Sequence, residues 1–221
     1  MKLLAIDTST EQASVALMNG KAITRLEQPA QRHHAQFILP MVDQLLVDAG
    51  LSLSQCDGIV FGRGPGSFTG LRIACSVAKG LAYAQDLPVY PVSTLAAIAA
   101  ELLIQPNQKA AVLAMIDARM NQVYWACYTH IDDVTEERVS AIADIVIEHN
   151  SPLILAGVNY EIYRAELPAH LEARVVAEHR IFPDTVSMLN LVVNGKIAPV
   201  TAADALPVYI RNQITQGESR G

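Results

Sequence analysis

Two short stretches carry groups that could handle a phosphate. Asp7-Thr8-Ser9-Thr10 follows an apolar run with a carboxylate and three small hydroxyls, residue types that can hold a nucleotide phosphate through Mg²⁺ or simply cap and close a hairpin. Gly62-Arg63-Gly64-Pro65-Gly66-Ser67-Phe68-Thr69-Gly70 is a glycine-rich turn between an apolar run and a helical segment, where backbone amides can cradle phosphate. Its spacing removes the phosphate and nucleophile motifs in turn. A Walker loop needs Lys and then Ser or Thr after its last glycine, but Gly66 is followed by Ser67-Phe68. The dinucleotide fingerprint G-x-G-x-x-G ends on Ser67 counted from Gly62 and on Thr69 counted from Gly64. A G-x-S-x-G elbow is missing because Gly66 directly precedes Ser67. The remaining role is architectural: Gly64 and Gly66 supply positive φ around the rigid Pro65, and Ser67 or Thr69 caps the next helix.

The elements around these stretches form two halves. Leu3-Leu4-Ala5-Ile6, Ala13–Met18 and Lys21–Leu26, with an Asn19-Gly20 turn, predict a three-stranded meander. A helix is predicted from Arg32 to Ala49, closed by Gly50, then a strand over 58–61 and a helix over 70–85. Pro88–Pro91 reads as a short extended segment and Thr94–Ile104 as a further helix. Ala114-Met115-Ile116-Asp117 then echoes Leu4-Ala5-Ile6-Asp7, and Val123–Tyr128 follows it as a second β-rich run. Leu153-Ile154-Leu155-Ala156-Gly157 echoes Gly58-Ile59-Val60-Phe61-Gly62. A repeated order of this kind is the mark of duplication. The polar link Gln105-Pro106-Asn107-Gln108 places the boundary, giving domains 1–106 and 107–221.

The helix over 70–85 is apolar almost all round, and the one before it carries Phe37, Ile38, Leu39, Met41, Val42, Leu45, Leu46 and Val47. Such helices are either covered on several sides within the monomer or offer a face to another chain. Little else in the chain points to chemistry. Cys56, Cys75 and Cys127 have no Cys-x-x-Cys spacing, so neither a disulfide framework nor a zinc site follows, and reduced thiols are expected. His33-His34 has no spaced companion and reads as a surface pair at a helix start. Asp7 and Asp117 lie in different halves, so neither half supplies the carboxylates of a two-metal nuclease. No Ser-His-Asp or Cys-His pattern supports a peptidase. Trp125 and Tyr124 read as strand residues of the second core. A net charge of −6 argues against strong nucleic-acid binding by the chain alone. The first apolar run meets Asp7 after four residues, too short for a signal-peptide core, and no run approaches the roughly 20 residues of a membrane span. A soluble, cytoplasmic protein without metal or cofactor is expected.

The motifs IDTST, GRGPGSFTGLRIA, AKGLAY, PVSTLAAIA, IDARMNQVYWACY and a terminal PVYIRN run in order over residues 5–212. Together they resemble the TsaB (YeaZ) family. The resemblance implies an α/β fold of two RNase H-like lobes, as in the actin-like ATPase (ASKHA) superfamily. It also implies work with the paralogue TsaD and with TsaE in making threonylcarbamoyladenosine beside the tRNA anticodon. TsaD-like transferases carry V-N-H-L-x-x-H, and two histidines at i and i+4 share one helical face and a metal. The matching text here is Val92-Ser93-Thr94-Leu95-Ala96-Ala97-Ile98, so Thr94 and Ile98 replace both ligands and a non-catalytic subunit is implied. Its helices are expected to meet TsaD, or a second copy when alone, through His34, Ile38, Met41, Val42, Leu45, Leu71, Arg72, Ala74, Cys75, Ala78 and Lys79. Transfer RNA would be reached only through the complex, and no membrane is involved. Asp7, Thr8, Ser9 and Thr10 would form a degenerate nucleotide pocket. The competing expectation is a small actin-like ATPase or kinase using the same four residues.

Overall fold

A computed structural model describes residues 1–29, 34–104, 109–195 and 197–211, with the backbone alone for His34. The expected boundary at 105–108, His33 and the His34 side chain lie outside the described residues. The meander forms as β1 (Lys2–Asp7), β2 (Gln12–Asn19) and β3 (Ala22–Pro29). Helix α1 (His34–Asp48) leads to β4 (Gly58–Gly64), α2 (Phe68–Gln85), β5 (Val89–Ser93) and α3 (Thr94–Leu103). Gly50, at φ 62°, ends α1 with Leu51 N–H bonded back to the Leu46 carbonyl, the left-handed cap its type predicts. The second half supplies β6 (Ala111–Arg119), β7 (Gln122–Tyr128), β8 (Arg138–Ser140), β9 (Leu153–Val158), α4 (Ala169–Glu172), β10 (Val175–Arg180) and α5 (Thr185–Val193).

The first sheet has the order β3-β2-β1-β4-β5 and the second β10-β9-β6-β7-β8. Read from the meander outward, the two orders are the same. In each, three antiparallel strands are extended by two parallel ones. The sequence echo is thus a repeated topology, with Asp7 and Asp117 at equivalent positions near the ends of the central strands. The architecture is α/β, two lobes of the same RNase H-like sheet order.

Strand alternation explains the layers. Leu4 and Ile6 face α1 and α2, in a core with Ile38, Leu45, Phe61 and Ala74. Leu3 and Ala5 face the other way, toward Ala97 of α3 and Met188 and Leu189 of α5. The far side of α3, with Leu95, Ile98 and Leu102, packs on Val112, Ala114 and Ile116 of the second sheet. Helix α3 therefore lies between the sheets, with α5 beside it on the first. Arg25 of β3 reaches Asp184, the N-cap of α5, at 2.8 Å, which anchors a late helix on the early sheet.

The two apolar helices require a correction. Ile38, Met41, Val42, Leu45, Leu71, Ala74, Cys75 and Ala78 are buried in the chain's own core. They cover the first sheet and cannot reach a partner without unfolding it. Arg72 is exposed, while Lys79 is half-buried with Nζ donating to the Ala203 carbonyl at 2.9 Å. The outward residues are instead Leu39, Asp43 and Val47 of α1 and Ser76, Gly80 and Tyr83 of α2, flanked by half-buried Ile73 and Val77.

After α5 the chain returns to the first half. Val200 bridges Val89 at the β5 edge, Ala205 is buried against Cys75, and Val208 N–H donates to the Arg63 carbonyl at 2.7 Å. Tyr209 then lies against Phe68, and Arg211 ends on the β6–β7 turn, bonded to the Arg119 carbonyl and Gln122. Among the described residues no helix is long and apolar enough to cross a membrane.

Candidate functional site

The two stretches that suggested phosphate chemistry lock into one another. Asp7 Oδ1 accepts from Ser9 N–H at 3.1 Å and Ser9 Oγ at 2.8 Å. Thr8 Oγ1 donates to the Gly70 carbonyl at 2.7 Å, and Ser67 N–H donates to the Ser9 carbonyl at 2.7 Å. The glycines permit this approach. A Cβ at Gly62 would strike Asp7 Oδ2, one at Gly66 the Ser9 carbonyl, and one at Gly70 the Thr8 carbonyl. Gly64 does take a positive φ, 111°, but Gly66 does not. Gly66 is glycine for clearance rather than for handedness, which corrects the expected role. Ser67 is the cap of α2, accepting from Gly70 N–H. The backbone of this turn thus meets another backbone, and spacing alone could not name it.

Burial of the first stretch is nearly complete, with Asp7 and Thr8 at 0% exposure and Thr10 at 6%. Among the described residues Asp7 Oδ2 has no hydrogen-bond partner. Loss of hydration pushes the Asp7 carboxyl from the usual carboxylate value up to about 7, against the pull of the two Ser9 bonds, with nearby Asp184 adding repulsion.

A cleft of about 1080 Å³ opens between the halves, lined by Ser9–Glu11 and Gly66–Gly70 on one side and Asp117–Met120 and Asn159 on the other. Of the four residues expected at a nucleotide, Ser9 and Thr10 line it, and Asp7 and Thr8 do not. Across the cleft Asp117 repeats the Asp7 arrangement, with Oδ1 accepting from Arg119 N–H two residues on, at 2.8 Å. The turn then differs: Arg119, Met120 and Asn121 are all left-handed, and the Arg119 side chain pairs with Asp117. Arg211, from the terminal PVYIRN motif, also lines the cleft, brought there by the returning C-terminal segment. Tyr124 lines the cleft too, whereas Trp125 is core and donates to Ser140 Oγ.

No three His, Cys, Asp or Glu residues among those described converge on a metal position. Thr94 and Ile98 are fully buried in α3, and the Thr94 hydroxyl has no partner among the described residues. The fold does make one pair that spacing did not reveal: Cys127 Sγ lies 3.4 Å from His149 Nε2. Burial pushes the thiol up to about 12 and, with Arg174 nearby, holds His149 below the usual imidazole value. A neutral thiol beside a neutral imidazole is the reverse of an activated nucleophile. Iodoacetamide at pH 8 is expected to label Cys127 more slowly than free cysteine; faster labelling would mark a reactive dyad.

A family model described as "TsaD: tRNA N6-adenosine threonylcarbamoyltransferase" matches residues 27–189. The chain is 35% identical to the tRNA threonylcarbamoyladenosine biosynthesis protein TsaB of Haemophilus influenzae, over 97% of this chain and 95% of that protein. It is 36% identical to the TsaB of Escherichia coli, over 97% and 96%. Among solved structures, YeaZ from Pseudomonas aeruginosa is 38% identical and superposes with a TM-score of 0.82, covering 94% of this chain and 99% of that one. A second P. aeruginosa structure, titled by similarity to peptidase YeaZ, gives 38% and 0.85, covering 95% and 99%. Full-length identity at this level, on the same two-sheet fold, makes the chain a member of the TsaB family.

Proposed function

We propose that this chain is a non-catalytic subunit needed for threonylcarbamoyl transfer to the N6 amine of the adenosine beside the tRNA anticodon. It acts in the cytoplasm by binding and stabilising a TsaD subunit, together with TsaE. The observation that carries this is the full-length match to TsaB proteins in a chain whose α3 holds Thr94 and Ile98, a hydroxyl and a hydrocarbon, where a TsaD-like centre needs two histidines. The partner surface is the outward side of α1 and α2. Leu39 and Val47 are 52% and 66% exposed, and Ser76 and Gly80 are small enough for a second helix to approach closely. The same surface serves a homodimer when no partner is present. Transfer RNA is held by the complex, since a chain of net charge −6 offers it little by itself.

Arginine at Ala74 or Ala78 would disrupt the core and says nothing about binding. The informative change is Ser76→Arg with Gly80→Arg, both exposed, and nothing lies within 4 Å of a Cβ at Gly80. Loss of co-elution with TsaD from the same organism, at a melting temperature no lower than the parent's, is expected. Undiminished co-elution would sink the helix-surface reading.

A further inference from the structure

Arg72 stands at the start of the outward face of α2. Its guanidinium carbon lies 3.8 Å from the centre of the Phe68 ring and 6.0 Å from that of Tyr209. The two rings are 5.3 Å apart and tilted by 40°. Arg72 Nε donates to the Tyr209 hydroxyl at 3.1 Å. One turn of helix explains the first contact, because positions 68 and 72 are i and i+4. The second is purely tertiary: Tyr209 is delivered by the returning segment, clamped on one side by Val208 on Arg63 and on the other by Arg211 on the β6–β7 turn.

The other described arginines are all engaged. Arg25, Arg63, Arg119, Arg138, Arg164 and Arg180 pair with carboxylates, Arg174 with the Ser151 carbonyl and Arg211 with Gln122. Among the described residues, the terminal nitrogens of Arg72 have no partner, and the side chain is held by stacking and by Nε alone. Phe68 and Tyr209 remain 53% and 40% exposed around it.

We propose that Phe68, Arg72 and Tyr209 form a preorganised receptor for a carboxylate side chain of a partner protein, with the C-terminal segment holding the arginine in place. A guanidinium fixed at Nε presents its outer edge as a fork that matches a carboxylate, at little further cost in rotamer entropy. Exposed aromatics packed round an arginine have the composition of interface hot spots. A nucleic-acid site would call for several cations neutralising successive phosphates, whereas among the described residues the two rings hold one, and Arg119 and Arg211 of the adjoining cleft are engaged with Asp117 and Gln122, on an acidic chain. The partner is therefore an acidic protein surface, and given the proposed function on which this inference rests, that surface belongs to TsaD.

Calorimetric titration with TsaD from the same organism tests it. Arg72→Ala should weaken binding at least tenfold, and Arg72→Lys nearly as much, because an ammonium neither stacks nor forks. Tyr209→Ala should cost several-fold, and the salt dependence of binding should flatten in Arg72→Ala, which alone of the three removes the charge. Arg72→Glu should be rescued by reversing one acidic residue of TsaD. If Arg72→Ala and Arg72→Lys bind as the parent chain does while Ser76→Arg with Gly80→Arg does not, the receptor is wrong and the helix surface stands. If the parent chain does not bind TsaD at all, both fall. Binding of an anticodon stem-loop RNA by the chain alone, lost in Arg72→Ala with TsaD affinity intact, would overturn the assignment in favour of nucleic acid.

Discussion

Gly70→Ala is expected to lower the thermal midpoint by about 6–12 °C, corresponding to about 3 kcal/mol or more. The new methyl would be driven into the Thr8 carbonyl, and neither side can yield cheaply. Gly70 belongs to the first turn of α2, and Thr8 follows a strand buried from Leu3 to Asp7. Relief would also break the bond from Thr8 Oγ1 to the Gly70 carbonyl and loosen the one from Ser67 to Ser9. Gly80→Ala, ten residues along the same helix, is the internal control. Nothing lies within 4 Å of its Cβ position, so removing backbone freedom from the unfolded chain should raise the midpoint by about 1–3 °C. Opposite signs at two glycines of one helix are the test. A midpoint for Gly70→Ala within 2 °C of the parent would mean the interlock does not hold the cleft floor.

The second large effect concerns Asp7 and depends on pH. Its carboxyl is raised from 3.8 to about 7 by burial. Between those values the folded chain holds the proton more tightly than the unfolded chain does. This group therefore favours folding at low pH, and its contribution is lost as pH rises through the window. Asp7→Asn keeps an acceptor for Ser9 and never ionises. It should melt with the parent near pH 4.5 and above it at pH 8, by a few kcal/mol, or about 5–10 °C. A constant difference at both pH values would show that the Asp7 charge is not the cause. The same variant separates the competing chemistry. A chain that turned over Mg-ATP by itself and lost that turnover on Asp7→Asn would be an actin-like ATPase or kinase, not an accessory subunit.

The fold was largely legible because its strongest signals are local. Asn19-Gly20, Gly50 and the strand-ending Asp7 and Asp117 each act on the backbone within a few residues. The echo of the halves follows because the same local order builds the same sheet twice. Helix α5, β8 and β10 were not anticipated. Strand β10 is mostly exposed, and its apolar half VVA precedes its polar half EHR with no alternation to find, and β8 is three residues long.

The site was less legible, and the reason is physical. Apolar content showed that α1 and α2 must be covered, but hydrophobicity has no direction and does not say by what. Only the tertiary structure turned Ala74, Ala78 and their neighbours inward and left Leu39, Arg72, Ser76 and Gly80 outward. The glycine turn behaves in the same way. Its composition demanded a close approach, and sequence spacing excluded the phosphate and nucleophile motifs. That the thing approached is the Asp7–Ser9 backbone depends on residues some 60 positions away. Contacts between distant parts of the chain, the Tyr209 ring on Arg72 among them, exist only once both sheets are built. The sequence by itself determined the family, the repeated sheets and the missing histidine pair; the tertiary structure decided which of its apolar and charged groups still face outward.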